Sequence, residues 1–334
     1  MRVLVLGAGG FIGQHLMQAL SACPGIDVVG TSGHPAAGMR ALDACDAQAI
    51  GQALQGCDAL VNLVTGRTSV IEGNARALAQ ALGAHAQRAG RALPLVHMSS
   101  MAVYEGCDGQ VDETTALPPV TRWYARAKQA SEVTTAQLAA QGHPVTVLRP
   151  GCVWGPGSRL WVARVAQWLQ AGRLGDLGSW GDGWTHGVHV NDVCEATRRI
   201  LLDPPAAGHW QCLNLAAPDS PRWNTWFADL ALAIGATPLR RLSPARLILQ
   251  AYATGPALVL ARRLQPHGHW PEPMSPHLLA LWRSPLQMRA QRACDLLGAR
   301  WTPYRVSLTQ CAAWWRARSA SLQARAMNSG LPIT

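Results

Sequence analysis

Apolar residues follow two rhythms over the first half of this chain. Short unbroken runs such as Val3-Leu4-Val5-Leu6 have strand length and are too continuous for a strand with one wet face. They alternate with stretches in which apolar residues return every three or four positions, the period of a helix with one buried side. This reading predicts strands at 2–6, 27–31, 58–64, 93–98 and 145–149, and helices at 11–22, 46–55, 70–90 and 122–141. Such alternation implies an α/β fold, a Rossmann-type doubly wound parallel sheet covered on both faces. Beyond residue 150 the pattern loosens into a smaller region rich in Trp and Pro, with returns to the sheet expected near 187–190 and 211–215. The fifteen residues from Leu247 to Ala261 carry no formal charge. They are too short, and too broken by Gly255 and Pro256, to span a membrane. A buried or substrate-covering helix is expected there in preference to membrane-surface contact. Residues 266–276 hold four Pro and read as a loop.

The junction between the first strand and the first helix carries Gly7, Gly10 and Gly13. A glycine turn in that position lets backbone approach a pyrophosphate and aims a helix N-terminus at it. A lone glycine triplet says little, but strand–glycines–helix is specific.

Of the 29 Lys and Arg residues only Lys128 is lysine, and it stands four residues after Tyr124, one of four Tyr. Chance placement would give that spacing about one time in a hundred. On a helix, positions i and i+4 share a face, with Cβ atoms ~6 Å apart. The spacing therefore sets a phenol beside an ammonium, which favours the phenolate and lowers a Tyr pKa from its usual ~10. A compact ammonium also donates to a sugar hydroxyl in a way that a planar guanidinium does not.

Together with the segment His97-Met98-Ser99-Ser100-Met101-Ala102-Val103-Tyr104, the G-x-x-G-x-x-G turn and Tyr124-x-x-x-Lys128 closely resemble the extended short-chain dehydrogenase/reductase family. That family includes NAD-dependent epimerases and dehydratases and 3β-hydroxysteroid dehydrogenase-like enzymes. Further matching segments are Leu148–Pro156, Val188–Val193 and Leu297–Pro303, so the resemblance covers about residues 1–318. It implies a catalytic Ser100, Tyr124 and Lys128, with Asn74 in support. It also implies a cofactor cradle of Gly7, Gly10, Phe11, Ile12, Gly13, Ser32, Asp43, Ala44, Leu63, Val64, Thr65, Pro150 and Val153, with Tyr124 and Lys128 contributing. Residues 1–150 are then expected to form a dinucleotide-binding domain and 151–334 a mainly substrate-binding region. The implied function is NAD(P)-dependent hydride transfer between nicotinamide and a secondary alcohol or ketone. Two alternatives are a redox-neutral nucleotide-sugar epimerase or dehydratase, and a non-catalytic cofactor-binding module.

Departures from the family pattern sharpen these expectations. The end of the second strand carries Ser32 where NAD enzymes place a carboxylate for the ribose, so NADP is favoured over NAD. The run 181–189 lacks the Arg that grips a nucleotide-sugar diphosphate, and the loop 65–73 is short. Both favour a non-nucleotide small-molecule substrate. Trp154, Trp161, Trp180 and Trp184 would suit a ring-bearing substrate or simply fill a core. Arg159 and Arg164 remain candidates for a diphosphate grip.

Net charge is +10, but the arginines form no run and no recognition motif, so nucleic acid is not expected as a partner. Nine Cys without C-x-x-C spacing imply reduced thiols. His186/His189 and His267/His269 lack partner ligands and read as surface or loop histidines, with no metal expected. No apolar leader precedes the first strand, so a cytoplasmic protein without stable membrane insertion is expected. The family habit of pairing through two helices, here 70–90 and 122–141 with Ala75, Ala79, Ala86, Ala125 and Ala136, implies a homodimer.

Overall fold

The computed structural model describes residues 1–36, 38–265 and 270–328. Strands are β1 (Arg2–Leu6), β2 (Asp27–Ser32), β3 (Arg40–Ala41), β4 (Ala59–Asn62), β5 (Leu95–Met98), β6 (Gln110–Val111), β7 (Val145–Pro150), β8 (Cys152–Trp154), β9 (Gly187–His189) and β10 (Trp210–Leu215). Helices are α1 (Phe11–Ser21), α2 (Ala47–Ala53), α3 (Thr68–Ala89), α4 (Trp123–Ala140), α5 (Arg164–Gln170), α6 (Val190–Leu202), α7 (Trp223–Ala233), α8 (Pro244–Leu249), α9 (Gly255–Leu264), α10 (Pro276–Trp282), α11 (Gln291–Leu297) and α12 (Tyr304–Asn328). The chain divides into two compact units. One is Met1–Gly151, Val190–Pro218 and Met288–Trp301; the other is Cys152–His189, Asp219–Gln287 and Thr302–Thr334.

The first unit is built on a seven-stranded parallel sheet in the order β10-β7-β5-β4-β1-β2-β3. Val3–Leu6 are fully buried, as a strand covered on both faces must be. Leu4, Leu6, Leu60, Leu95 and Val147 of the strands join Leu78, Leu82 and Leu138 of α3 and α4 in one core. Strand order reverses between β1 and β4, which makes the carboxyl ends of these strands the expected ligand crevice of such a sheet. Local chemistry sets the helix ends. Asp46 caps α2 by accepting from the N–H groups of Gln48 and Ala49, and Gly90, in the left-handed region, ends α3.

Four expectations need correction. Residues 187–190 do not return to the large sheet: Gly187–His189 pair with Cys152–Trp154 in a separate two-stranded parallel ribbon of the second unit. A short apolar run fits a buried ribbon as well as a buried sheet. His186 and His189 are buried, not surface residues; the His186 ring contacts Leu286 O at 2.9 Å, and burial lowers its pKa to about 4. His267 and His269 lie outside the described residues, as does part of the proline-rich loop. Ala75 and Ala125 are buried within the protomer, because α3 and α4 pack on each other and on the sheet, so they are not free to form a pairing face. The uncharged stretch 247–261 is helical but buried on one side only: Leu247 and Ala251 are fully buried, whereas Ile248, Leu249, Tyr252, Val259 and Leu260 are exposed.

The second unit is centred on aromatic packing. Trp154 stacks on Trp226 with ring centroids 4.5 Å apart, and Trp223, Phe227 and Trp282 form an adjoining cluster. Tyr304, at the start of α12, donates from its backbone N–H to Asp219 and from its hydroxyl to Asp229 at 2.8 Å. With only two Phe in the chain, Trp takes the role of core filler.

Candidate active site

The glycine turn is fixed before any ligand arrives. The N–H groups of Gly7 and Ala8 both donate to Thr31 O, pinning the turn to β2. Gly7 has φ +80°, a conformation that favours glycine, and a Cβ there would press on the Leu63 carbonyl. A Cβ on Gly13 would run into the carbonyls of Gly7 and Ala8, so the helix can start this close only with glycine. Gly10 is the N-cap of α1, which has no side-chain cap and no acidic residue in its first turn. Its leading N–H groups, from Phe11 onward, are therefore left for an external anion. This geometry fits the pyrophosphate of a dinucleotide.

The other expected cradle residues are placed as follows. Ser32 ends β2 against the turn, where a Cβ on Gly9 would collide with its hydroxyl. Its Oγ exchanges hydrogen bonds with the backbone of His34 at 3.2 Å. Asp43 is exposed and accepts from the Cys45 N–H at 2.9 Å. Ala44 O accepts from Asn74 at 2.8 Å. Leu63 and Val64, just past β4, are buried, while Thr65 is exposed. Pro150 closes β7. Val153 belongs to the second unit.

The three expected catalytic residues all lie in the first unit. Ser100 follows β5, caps the 3₁₀ turn Met101–Tyr104, and accepts from the Ala102 N–H at 3.2 Å. Tyr124 sits half-buried in the first turn of α4, its ring edge-on to the exposed Trp123 at 5.7 Å. Lys128 is 1% exposed, and its Nζ donates to Met98 O at 2.7 Å and to Val64 O at 3.5 Å. An ammonium has three donors, so one remains for a ligand. Burial lowers the Lys128 pKa to about 8, with Glu132 opposing the shift.

Helix α4 is stapled to the strand end on both sides of Ser100. Lys128 reaches Met98 O, Gln129 donates to Val103 O at 2.9 Å, and Ser99 Oγ donates to Glu132 at 2.5 Å. Glu132 is also held bidentately by Arg149, with Nη2 at 2.6 Å and Nε at 3.0 Å, both side chains almost wholly buried. Arg149 Nη1 donates in turn to Tyr104 Oη at 2.7 Å, and Tyr104 donates to Asn214 at 2.9 Å. Burial pushes the Tyr104 pKa up to about 12, so this phenol stays protonated.

A second, uncharged line runs behind Lys128. Asn62 Nδ2 donates to Asn74 Oδ1 at 2.8 Å and lies 3.1 Å from His97 Nδ1. Burial and the Lys128 charge hold the His97 pKa down at about 3, so the ring is neutral. The Asn62 amide donates to Nδ1, which leaves the ring proton on Nε2, facing Ser131 Oγ at 3.1 Å. Ser131 Oγ donates to Lys128 O at 2.8 Å.

Sequence reasoning missed Glu132, His97, Asn62, Gln129 and Ser131. Glu132 had a readable signal: it follows Lys128 by four residues and Tyr124 by eight, on the same helix face.

The family model described as the NAD dependent epimerase/dehydratase family matches residues 3–216. Among solved structures, dTDP-glucose 4,6-dehydratase from Bacillus anthracis, in complex with NAD, superposes with a TM-score of 0.71 at 15% identity, covering 96% of this chain and 98% of that one. MoeE5 in complex with UDP-glucose and NAD gives 0.68 at 23% identity, covering 96% and 100%. RMD from Pseudomonas aeruginosa, complexed with NADPH, gives 0.68 at 20% identity, covering 95% and 99%. These likenesses establish a shared fold. Comparison with curated proteins finds no match.

Proposed function

Because the chain belongs to the NAD dependent epimerase/dehydratase family, we propose that Ser100, Tyr124 and Lys128 are the catalytic group of a nicotinamide-dependent enzyme acting on a secondary alcohol or ketone. A bound nicotinamide supplies or accepts the hydride. Tyr124 Oη exchanges the proton with the substrate oxygen, and Ser100 Oγ, oriented by the Ala102 N–H, donates to that same oxygen. Lys128 offers its remaining N–H to a cofactor ribose hydroxyl and keeps positive charge beside Tyr124. The observation that carries this reading is the Lys128 Nζ, fixed by two strand-end carbonyls with one donor to spare, on the helix face it shares with Tyr124.

Among reactions of this type we favour net oxidoreduction, supported by the Arg-free run 181–189. A screen of alcohols and ketones followed at the nicotinamide absorbance tests it. Turnover that Tyr124→Phe abolishes is expected; cofactor binding with no turnover of any candidate would favour a binding module. One observation supports the redox-neutral alternative. Arg164 lies against Trp161 and Trp168, 5.9 and 5.1 Å from their ring centroids, and its buried Nε has no partner among the described residues. A guanidinium so placed suits a diphosphate. Micromolar UDP binding by calorimetry, lost in Arg164→Ala, would make a nucleotide-sugar epimerase or dehydratase the better reading.

The absence of a carboxylate at Ser32 supports NADP, to be checked by titrating both cofactors against Trp fluorescence. We further propose that the first unit binds the dinucleotide and the second mainly the substrate. A cytoplasmic homodimer is proposed as well. Its pairing would use the residues of α3 and α4 that are not buried, Ala79, Ala86 and Ala136, and light scattering at twice the 35.7 kDa chain mass is expected.

A further inference from the structure

The second unit carries an exposed apolar face that nothing in the proposed catalysis uses. From Pro244 to Leu264 the chain runs helically through α8, a π-helical turn at Gln250–Thr254, and α9. Its inner side is anchored. Leu247 and Ala251 are fully buried, and Gly255 lies so close to the Met274 backbone that a Cβ could not be accommodated. Its outer side is apolar: Ile248, Leu249, Tyr252, Val259, Leu260 and Leu264 are exposed, Tyr252 by 64% and Leu264 by 73%. These residues recur at helical spacing, so they form one stripe ~24 Å long at 1.5 Å per residue. Scattered exposed apolar residues need no explanation, but a contiguous stripe does.

Charge says what this stripe fits. Between Asp229 and Glu272 there is no acidic residue, while Arg240, Arg241 and Arg246 lie at the amino end of the helical run and Arg262 and Arg263 at its carboxyl end. Arg262 is paired with Glu272, and Arg246 donates to Gly172 O; Arg240, Arg241 and Arg263 are exposed. An apolar helix face framed by arginines, in a chain of net charge +10, has the make-up of a helix lying in the plane of an anionic bilayer surface. Its apolar side chains enter the acyl boundary while the arginines reach lipid phosphates. A second copy is the poorer occupant: isologous pairing would bring two sets of like charge together with no carboxylate on the stripe to offset them. No helix among the described residues is long and apolar enough to cross a membrane.

We infer that the Pro244–Leu264 face docks this protein onto anionic lipid. The test is co-sedimentation of the full chain with vesicles of phosphatidylcholine alone or with about 30 mol% phosphatidylglycerol. Binding at least about tenfold greater on the anionic vesicles is expected, together with a tenfold loss in the doubly substituted Tyr252→Asp, Leu260→Asp protein. Both positions are exposed, so these changes leave the core intact, and unchanged cofactor titration confirms folding. Three results would overturn the inference. One is no preference for anionic vesicles. Another is binding that salt abolishes but the Asp substitutions do not alter, which is charge attraction alone. The third is a lipid-free oligomer that the Asp substitutions dissociate, which assigns the face to a second copy.

Discussion

Two clusters, one in each unit, bury polar atoms on opposite terms. In the first, the buried polar side chains near the strand ends are linked one to the next: Asn74, Asn62, His97, Ser131 and the Lys128 carbonyl in one line, Ser99, Glu132, Arg149, Tyr104 and Asn214 in another. In the second, Trp223, Trp226, Trp282 and Trp315 bury indole N–H groups that have no partner among the described residues. An unmade hydrogen bond costs roughly 1–3 kcal/mol. A buried Trp offsets that with some 200 Å² of apolar area at about 25 cal/mol per Å². Linked polar groups fix atoms in direction, whereas packed indoles fill volume. The linked set of the first unit thus fixes its side chains in direction, and the indole cluster of the second fills its own core.

The largest expected effect follows from the role proposed for Tyr124 in the first unit. Tyr124→Phe should lower kcat by about 10²–10⁴-fold while leaving the cofactor dissociation constant nearly unchanged, since only the proton-bearing oxygen is lost. Retention of more than a tenth of the activity would separate Tyr124 from the ordered site.

Next come the buried ions. Arg149→Met strands the Glu132 carboxylate and should cost about 3–5 kcal/mol in urea unfolding. Arg262→Met, at the half-exposed Glu272 pair of the second unit, should cost less than about 1 kcal/mol. Equal losses would erase the contrast.

Acidity gives a third handle. The folded pKa of Lys128, about 8, lies below its ordinary 10.5, so between these values the unfolded chain binds more protons and stability rises with pH, by at most about 1.4 kcal/mol per pH unit. Lys128→Met should remove that rise. His97 works at the other end: its pKa falls from 6.5 to about 3 on folding, so its contribution to stability is lost as pH falls through that window. In activity, the Lys128 charge disappears above about pH 8, and kcat/KM should decline there.

A last pair of substitutions lies in the aromatic core of the second unit. Trp223→Phe removes a buried N–H that has no partner among the described residues and should cost about 1–2 kcal/mol, mainly for the ring volume lost. Tyr304→Phe breaks a 2.8 Å bond to the Asp229 carboxylate and should cost about 1.5–3 kcal/mol. The reverse order would mean that the Trp cluster is the more specific of the two.

The same contrast governs what could be read from sequence. Strands β1, β2, β4, β5 and β7 and helices α1–α4 lie within a few residues of their expected limits, because each is a periodic run closed by glycine, proline or a capping Asp. β3 has two residues, too few for any period. The stretch 247–261 reads as a buried or substrate-covering helix and is helical, but only the pattern of neighbours decides which side of an apolar helix is covered. The pairing of Tyr124 with Lys128 on one helix face was legible through spacing, whereas Ser100 entered only through the resemblance of its segment. His97 and Asn62 were not, since each is one polar residue at the end of an apolar strand, and their partners are 34 and 12 residues away.

Lys128 also leaves the chain with an unusual chemical profile. Apart from the α-amino group of Met1, which donates to Gly25 O, it is the protein's only amine, and it is enclosed between helix and sheet. Amine-directed acylation of the native protein should therefore stop at the N-terminus. A second acyl group would mark a molecule in which α4 has lifted from the strand ends, so the extent of labelling over time becomes a clock for opening of the site.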